Sequence, residues 1–157
     1  MRLNAQTDYS LRILMYLAAK VGESATIQEV STQLGLSQAY MMRIAAKLAA
    51  SGLVSSTRGR SGGLVLGREA RRITVEDVVR AIEPDFALVE CLGHSERTCS
   101  IEPACRLKGV LVSALDAFFA ELRTSTLADL THKNRDRLAE IFWLAAPAKD
   151  RLSKGVH

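Results

Sequence analysis

The sequence predicts a mainly α-helical fold, and three observations support that prediction. First, apolar residues recur at helical spacing along most of the 157-residue chain. Second, two short helical stretches are joined by a three-residue turn, and a hairpin-like stretch follows them directly. Third, a long stretch nearer the end of the chain carries a wide apolar stripe. We therefore expect several short helices with a β-hairpin, followed by one long helix.

The first three helices are predicted from spacing and from their end residues. Leu11, Leu14, Met15 and Ala18 form the apolar stripe of the first helix, which Gly22 ends. The second helix begins after Thr26, three positions before Glu29 as in a capping box, and ends at Gly35. Ser37 caps the third helix, whose buried stripe is predicted to be Met41, Ile44, Ala45 and Leu48. Two helices joined by so short a turn are typical of a helix-turn-helix.

Residues 53–66 predict a β-hairpin, because two short runs rich in Leu and Val flank a basic, glycine-rich tip at 58–63. A hairpin directly behind a helix-turn-helix is a wing. A further helix is predicted over 73–83, with Val75, Val78, Val79 and Ile82 buried. Residues 1–83 are therefore predicted to form a winged helix-turn-helix DNA-binding domain.

The rest of the chain is predicted to contain a cysteine-bearing loop (84–106), a long dimerisation helix with a short following helix (107–131) and a partly disordered tail (132–157). The long helix is expected to run from Pro103 to about Arg123, and Thr126 to cap the short one. The apolar stripe is Leu107, Val110, Leu111, Ala114, Leu115, Phe118, Phe119 and Leu122. Its width predicts that one face packs on a second copy, and the alternative is that the whole stripe is intramolecular core.

Composition and charge argue against some classes of function and favour others. No apolar run reaches the roughly 18 residues of a membrane span, and the polar N-terminus does not fit a signal peptide, so we expect a cytoplasmic protein that does not bind membranes. The net charge of +4 is uneven, because residues 1–72 hold ten basic against four acidic side chains. Such a basic half favours binding to a polyanion such as DNA. Phosphate-loop and nucleophile-elbow motifs are missing from the sequence, and the histidines show no catalytic spacing, so an enzyme is not expected.

The third helix and the wing tip supply the candidate DNA contacts. Opposite the buried stripe, Arg43 suits a guanine edge and Gln38 an adenine edge. Ser37, Tyr40 and Lys47 are assigned to phosphates. Arg58 and Arg60, on the glycine-rich tip, suit a narrow minor groove.

Cys91, Cys99 and Cys105 are separated by seven and five residues on a polar segment. Three thiolates in a chain without secretory features fit an iron-sulfur cluster or a zinc ion better than a disulfide framework. His94 lies between the first two cysteines and would complete a Cys3His zinc set. Spacing alone leaves cluster and zinc open, with inert or purely redox-active thiols as a third reading.

The motifs, taken in order, resemble those of the bacterial winged-helix regulators that carry an iron-sulfur cluster, among them NsrR, RirA and IscR. The resemblance covers about residues 1–131 and rests on TDYSLRILMYLA, RGRSGGLVLG, ITVEDVVRAIE and IEPACRLKGVL. It implies a homodimeric transcriptional repressor that binds operator DNA. It also implies a cluster on Cys91, Cys99 and Cys105, with [4Fe-4S] favoured over [2Fe-2S].

Within that family the chain looks most like the nitric-oxide sensors of the NsrR type. Their pattern implies that Asp8 of the partner subunit is the fourth cluster ligand. Arg12, one helical turn further on, is able to pair with Asp8 or Glu90. The alternative for Asp8 is an N-terminal helix carboxylate favoured by the helix dipole. Lys108 stands where the IscR pattern has a histidine. The seven-residue gap before Cys99 looks instead like the iron-responsive repressors of the RirA type. Nitric oxide is thus the favoured signal, with iron as the alternative, and a zinc-stabilised DNA-binding module without a sensory role as a third possibility.

Overall fold

The structure is a computed structural model that describes residues 2–20, 22–57, 62–93, 99–101 and 104–144. The helices in these ranges are α1 (Ala5–Ala19), α2 (Ile27–Leu34), α3 (Gln38–Ala50), α4 (Val75–Ile82), α5 (Arg106–Thr124), α6 (Leu127–His132) and α7 (Arg135–Leu144). The strands are β1 (Val54–Ser56) and β2 (Leu64–Leu66), and single 3-10 turns lie at Ala70–Arg72 and Glu90–Leu92. Among the described helices, none combines the length and apolarity needed to span a bilayer.

The helix-turn-helix forms as the capping residues predict. Thr26 Oγ1 accepts from the Glu29 backbone N–H at 3.1 Å, and Glu29 Oε2 accepts from the Thr26 N–H, which closes the capping box of α2. Gly35 ends α2 at φ +66°, a left-handed conformation that favours glycine. Ser37 Oγ then accepts from the Tyr40 N–H at 3.2 Å and starts α3. Local sequence therefore sets both helix ends at this turn.

The core forms around α1, which packs against α2, α3, α4, α6 and α7. The predicted stripe of α3 is buried as expected. In α1 the buried surface differs from the predicted stripe. Leu14 and Ala18 are buried as predicted and Leu11 and Met15 are half-buried, while Ile13, Tyr16 and Leu17 are buried in addition. A helix contacted on most sides needs apolar residues beyond a single stripe.

The wing pairs β1 with β2 antiparallel, with Val54 opposite Leu66. Ala25 adds a bridge to the outer edge of β2, since its N–H donates to the Leu64 carbonyl and its carbonyl accepts from the Leu64 N–H. A Cβ on Gly63 would lie 2.7 Å from the Ala25 carbonyl oxygen. Gly63, predicted as part of a flexible tip, is therefore a packing position where two backbones approach closely.

A buried carboxylate joins α4 to α5. Val78, Val79 and Ile82 are buried as predicted, whereas Val75 is only half-buried. Glu76 is buried beside them, with 9% of its side chain exposed. It accepts hydrogen bonds from Arg80 at 2.8 Å and from two Arg123 nitrogens at 2.6 and 2.9 Å.

The guanidinium of Arg80 also lies 3.6 Å from the centre of the Phe119 ring, within the range of a cation–π contact. Hydrogen bonds from Arg123 and then Arg80 lower the pKa of Glu76 to about 2. The C-terminal half of α5 is thus fixed on the winged domain.

The N-terminal half of α5 has a different environment. The helix begins at Arg106, three residues after the predicted start, because Cys105 occupies the N-cap with an extended backbone. Of the predicted stripe, only Phe119 is buried, while Leu107 is 58% and Val110 63% exposed. The stripe is therefore not an intramolecular core in the described chain.

The last two helices return to α1. Thr126 caps α6, as predicted, and the structure adds a capping box between Thr126 and Asp129. Helix α7 was not predicted, since its residues fall in the segment 132–157 that was expected to be a partly disordered tail. Phe142 packs edge-to-face on Tyr16 with ring centres 5.2 Å apart. This contact with α1 supplies the apolar burial that the short helix α7 needs.

Candidate nucleic-acid interface and cysteine site

The outer face of α3 is exposed and basic. Gln38, Arg43 and Lys47 are exposed, as are Ala39, Ala46 and Ala50 between them. Because alanines leave room beside the long side chains, this face can approach a DNA groove closely. Met42 on the same face is 54% exposed and adds an apolar contact surface.

The two residues at the start of α3 also have structural roles. Ser37 uses its hydroxyl oxygen to cap the helix, and its hydroxyl hydrogen can still be donated to a phosphate. Tyr40 is half-buried and packs against the hydrophobic core. Its assignment to a phosphate stays a prediction.

Residues of α1 contact the side chains of α3 that are predicted to bind DNA. The sequence analysis did not predict these contacts. Lys47 Nζ donates to Gln6 Oε1 at 3.0 Å. Tyr9 packs edge-to-face on Tyr40 with ring centres 5.9 Å apart, and the Arg43 guanidinium lies 5.3 Å from the centre of the Tyr40 ring. Spacing within α1 could only have shown that residues 6 and 9 share one side of that helix.

The wing tip is described only at its base. Thr57 N–H donates to the Gly63 carbonyl at 2.8 Å, and Gly63 N–H donates to Thr57 Oγ1 at 3.1 Å. These bonds close the loop at the ends of the hairpin. Arg58 and Arg60 lie outside the described residues, so their minor-groove assignment stays a prediction.

Cys91, Cys99 and Cys105 line one cavity of about 660 Å³ at the start of α5. All three are half-buried free thiols. Leu107 and Leu111 of α5 line the same cavity, so its wall continues into the exposed apolar face of that helix. Among the described residues, no three His, Cys, Asp or Glu side chains form a group that could hold a single metal ion.

Two charged residues that line the cavity are not among the predicted cluster ligands. Glu90 lies on the 3-10 turn that also contains Cys91, and Lys108 lies on the first turn of α5. From the sequence, Glu90 is expected only as a possible partner of Arg12. His94, the fourth ligand of the zinc alternative, lies outside the described residues.

Asp8 lies on the first turn of α1 and is not among the residues that line the cysteine cavity of the same chain. Arg12 donates to both of its carboxylate oxygens, at 3.1 and 2.8 Å. The start of α1 is fixed because Asn4 caps it and donates through its N–H and Nδ2 to Glu83, both at 2.8 Å. Asp8 therefore has a defined position on a half-exposed surface.

The capped helix-turn-helix, the hairpin behind it and the basic outer face of α3 define a winged helix-turn-helix DNA-binding protein. Residues 3–133 match the Rrf2 family, described as iron-dependent transcriptional regulators. The chain belongs to the Rrf2 family.

Relatives within this family match the chain over most of its length. The HTH-type transcriptional regulator NsrR of Bacillus subtilis (strain 168) is 40% identical over 137 residues, which are 87% of this chain and 94% of the relative. The structure of CymR (YrzC), the global cysteine regulator of B. subtilis, has a TM-score of 0.69 at 30% identity and covers 85% of this chain and 98% of its own. T. potens IscR has a TM-score of 0.68 at 26% identity, covering 87% and 90%.

These matches confirm the family resemblance and the winged-helix fold. The chain is a DNA-binding transcriptional regulator and not an enzyme. Its signal, its cofactor and the residues that carry them are matters for proposal.

Proposed function

We propose that the chain is a homodimeric repressor whose operator binding is controlled by an iron-sulfur cluster that senses nitric oxide. The observation that supports this most is the convergence of Cys91, Cys99 and Cys105 on one cavity. Thiolates are the usual protein ligands of iron-sulfur clusters. The 40% identity to NsrR supports nitric oxide as the signal.

The donor set of the cavity fits a cluster. Three soft sulfur donors are present on half-buried cysteines, and Leu107 and Leu111 add apolar side chains to the same cavity. When bound, a [4Fe-4S] cluster supplies an iron that reacts with nitric oxide. The family resemblance favours this form over [2Fe-2S].

Asp8 of the partner subunit is proposed as the fourth ligand. A hard carboxylate beside three thiolates makes an asymmetric set, in which the oxygen-bound position is the weakest. The bond from Arg12 holds the Asp8 carboxylate in one orientation. Because Asp8 lies on α1, and α1 packs against α3, loss of this ligand bond would release a link between the cluster of one subunit and the recognition helix of the other.

The second subunit is proposed to cover the exposed apolar face at the start of α5. Leu107 and Val110 expose more than half of their surface, although they lie on a helix whose other end is fixed by Arg123. In the proposed two-fold dimer, the two α3 helices enter successive major grooves of the operator. Arg43 and Gln38 are proposed to read bases, and Ser37, Tyr40, Lys47, Arg58 and Arg60 to contact the DNA backbone or minor groove.

The test is the visible spectrum of the full chain purified without oxygen, followed by titration with a nitric-oxide donor and by operator binding at each step. We expect absorbance that changes on adding nitric oxide, together with loss of DNA binding. Serine variants of Cys91, Cys99 and Cys105 should each lose iron. Asp8→Ala should change the spectrum, whereas Glu90→Gln, which removes the charge of a carboxylate that lines the cavity, should keep it.

Other outcomes would identify the alternatives. A cluster that ignores nitric oxide but is lost on iron chelation would assign iron as the signal, in line with the gap before Cys99. A colourless protein with stoichiometric zinc would contradict the sensory proposal and leave the DNA-binding function.

A further inference from the structure

We propose that Tyr9, on α1, is a specificity-determining positioning residue that holds Arg43 in place for reading DNA. The inference rests on the proposed role of Arg43 and goes beyond it. Tyr9 is not on the recognition helix and reaches Arg43 only through Tyr40. The proposal therefore assigns part of the DNA specificity to a different helix.

The geometry connects the core to the DNA-reading face in three steps. Tyr9 and Tyr40 are half-buried and pack against the hydrophobic core. Their rings meet at 87° with centres 5.9 Å apart, an edge-to-face arrangement of the favourable kind. The Arg43 guanidinium then lies 5.3 Å from the centre of the Tyr40 ring, within cation–π range. An exposed arginine is thus connected to buried structure by aromatic contacts.

A second contact runs parallel to the first. Gln6 accepts from Lys47 at 3.0 Å, one helical turn away from the aromatic contacts. Gln6 and Tyr9 are three apart on α1, and Arg43 and Lys47 are four apart on α3, so each pair shares one helix side. One face of α1 therefore supports the basic face of α3 at two places.

Holding Arg43 matters because a free arginine side chain loses much rotational freedom when it binds. A guanidinium already restricted by a ring loses less of that freedom on docking against a guanine edge. The smaller entropy loss strengthens binding at the base pair that Arg43 reads, and so raises discrimination at that base pair. Lys47 contacts a phosphate as a point charge and tolerates more directions, so the Gln6 contact is expected to have little effect on base discrimination.

The test measures base discrimination with the full chain. The probe is a duplex selected by the wild-type chain from a random-sequence pool, together with all of its single base-pair variants at one fixed salt concentration. Arg43→Ala identifies the base pairs that Arg43 reads. Tyr9→Leu is expected to lower discrimination about three- to tenfold at those same base pairs and to leave the others unchanged.

Three comparisons separate positioning from a general loss of structure. Tyr9→Phe keeps the ring and should keep the discrimination of the wild-type chain. Gln6→Ala, on the same face of α1, should leave discrimination unchanged. Adding Tyr9→Leu to Arg43→Ala should cause no further loss of base discrimination, because Tyr9 is proposed to affect discrimination through Arg43. Thermal melting checks folding, and Tyr9→Met is the second variant if Tyr9→Leu is unstable.

Each remaining outcome decides against the inference. The inference is overturned if Tyr9→Leu weakens binding to all duplexes equally without lowering base discrimination. It is also overturned if the losses of discrimination add in the double variant. The role of Arg43 stays intact in both cases. If Arg43→Ala relaxes no base pair, the assignment of Arg43 fails first and the role of Tyr9 fails with it.

Discussion

Trimming the exposed apolar face of α5 should separate the subunits without unfolding them. Val110 is 63% exposed in the single chain, so about three fifths of its surface remains to be buried by a partner. Val110→Ala removes two carbon groups, each contributing about 0.8 kcal/mol when fully buried. The loss is then about 1 kcal/mol per chain and, because a two-fold interface contains the site twice, about 2 kcal/mol per dimer. This corresponds to a dimer dissociation constant about 30-fold higher.

The same reasoning gives a larger effect at Leu107, where three carbon groups are removed from a side chain that is 58% exposed. Leu107→Ala should raise the dissociation constant about 100-fold. Sedimentation over a dilution series measures both constants. Ile141→Ala on α7 is the matched control, because Ile141 is 53% exposed but lies on another helix. Unchanged association in both α5 variants, or an equal effect at Ile141, would refute the assignment of this face.

Three further predictions concern stability and DNA binding. Gly67→Ala should lower the free energy of unfolding by about 1–3 kcal/mol, because its Cβ would overlap the Gly52 carbonyl oxygen; an unchanged urea midpoint would contradict this. Glu76 has a folded pKa of about 2, below its ordinary 4.5, so the stability it contributes is complete above pH 4.5 and is lost as the pH falls towards 2. The difference in melting temperature between wild type and Glu76→Gln should therefore shrink across that window, and a constant difference would argue against the contact. Lys47→Ala should weaken binding to all duplexes alike and reduce the slope of log affinity against log salt by about 1, whereas a selective loss at one base pair would assign it to base reading.

The stability of the α4–α5 contact bears on regulation as well as on folding. Glu76 and its two arginines fix the C-terminal half of α5 to the winged domain, while the cysteine cavity lies at the N-terminal end of the same helix. A structural change at the cysteine cavity therefore acts on a helix whose other end is already attached to the DNA-binding domain. Helix α5 therefore contributes residues both to the proposed cluster site and to the proposed dimer interface.

The sequence by itself determined the features that depend on residues close together in the chain. The capping boxes of α2 and α6, the Ser37 cap and the glycine at the end of α2 all join residues at most four positions apart, so their patterns could be recognised directly. The helix-turn-helix, the wing and the family resemblance follow from the order of such local features. The prediction missed α7, whose burial depends on the contact between Phe142 and the distant Tyr16.

Only the tertiary structure decided which distant residues meet. The bonds from Arg123 to Glu76 and the packing of Tyr9 on Tyr40 each depend on how whole helices pack. The grouping of the three cysteines was already implied by the family resemblance, and the structure adds the cavity that they line. Side chains 31 or 47 positions apart leave no periodic trace of their contact in the sequence. Gly63 differs from its prediction for the same reason, because burial is a property of the neighbouring elements and not of the residue. The exposure of the α5 stripe counts against the intramolecular-core alternative, and only the packing of the described chain could decide between the two interpretations.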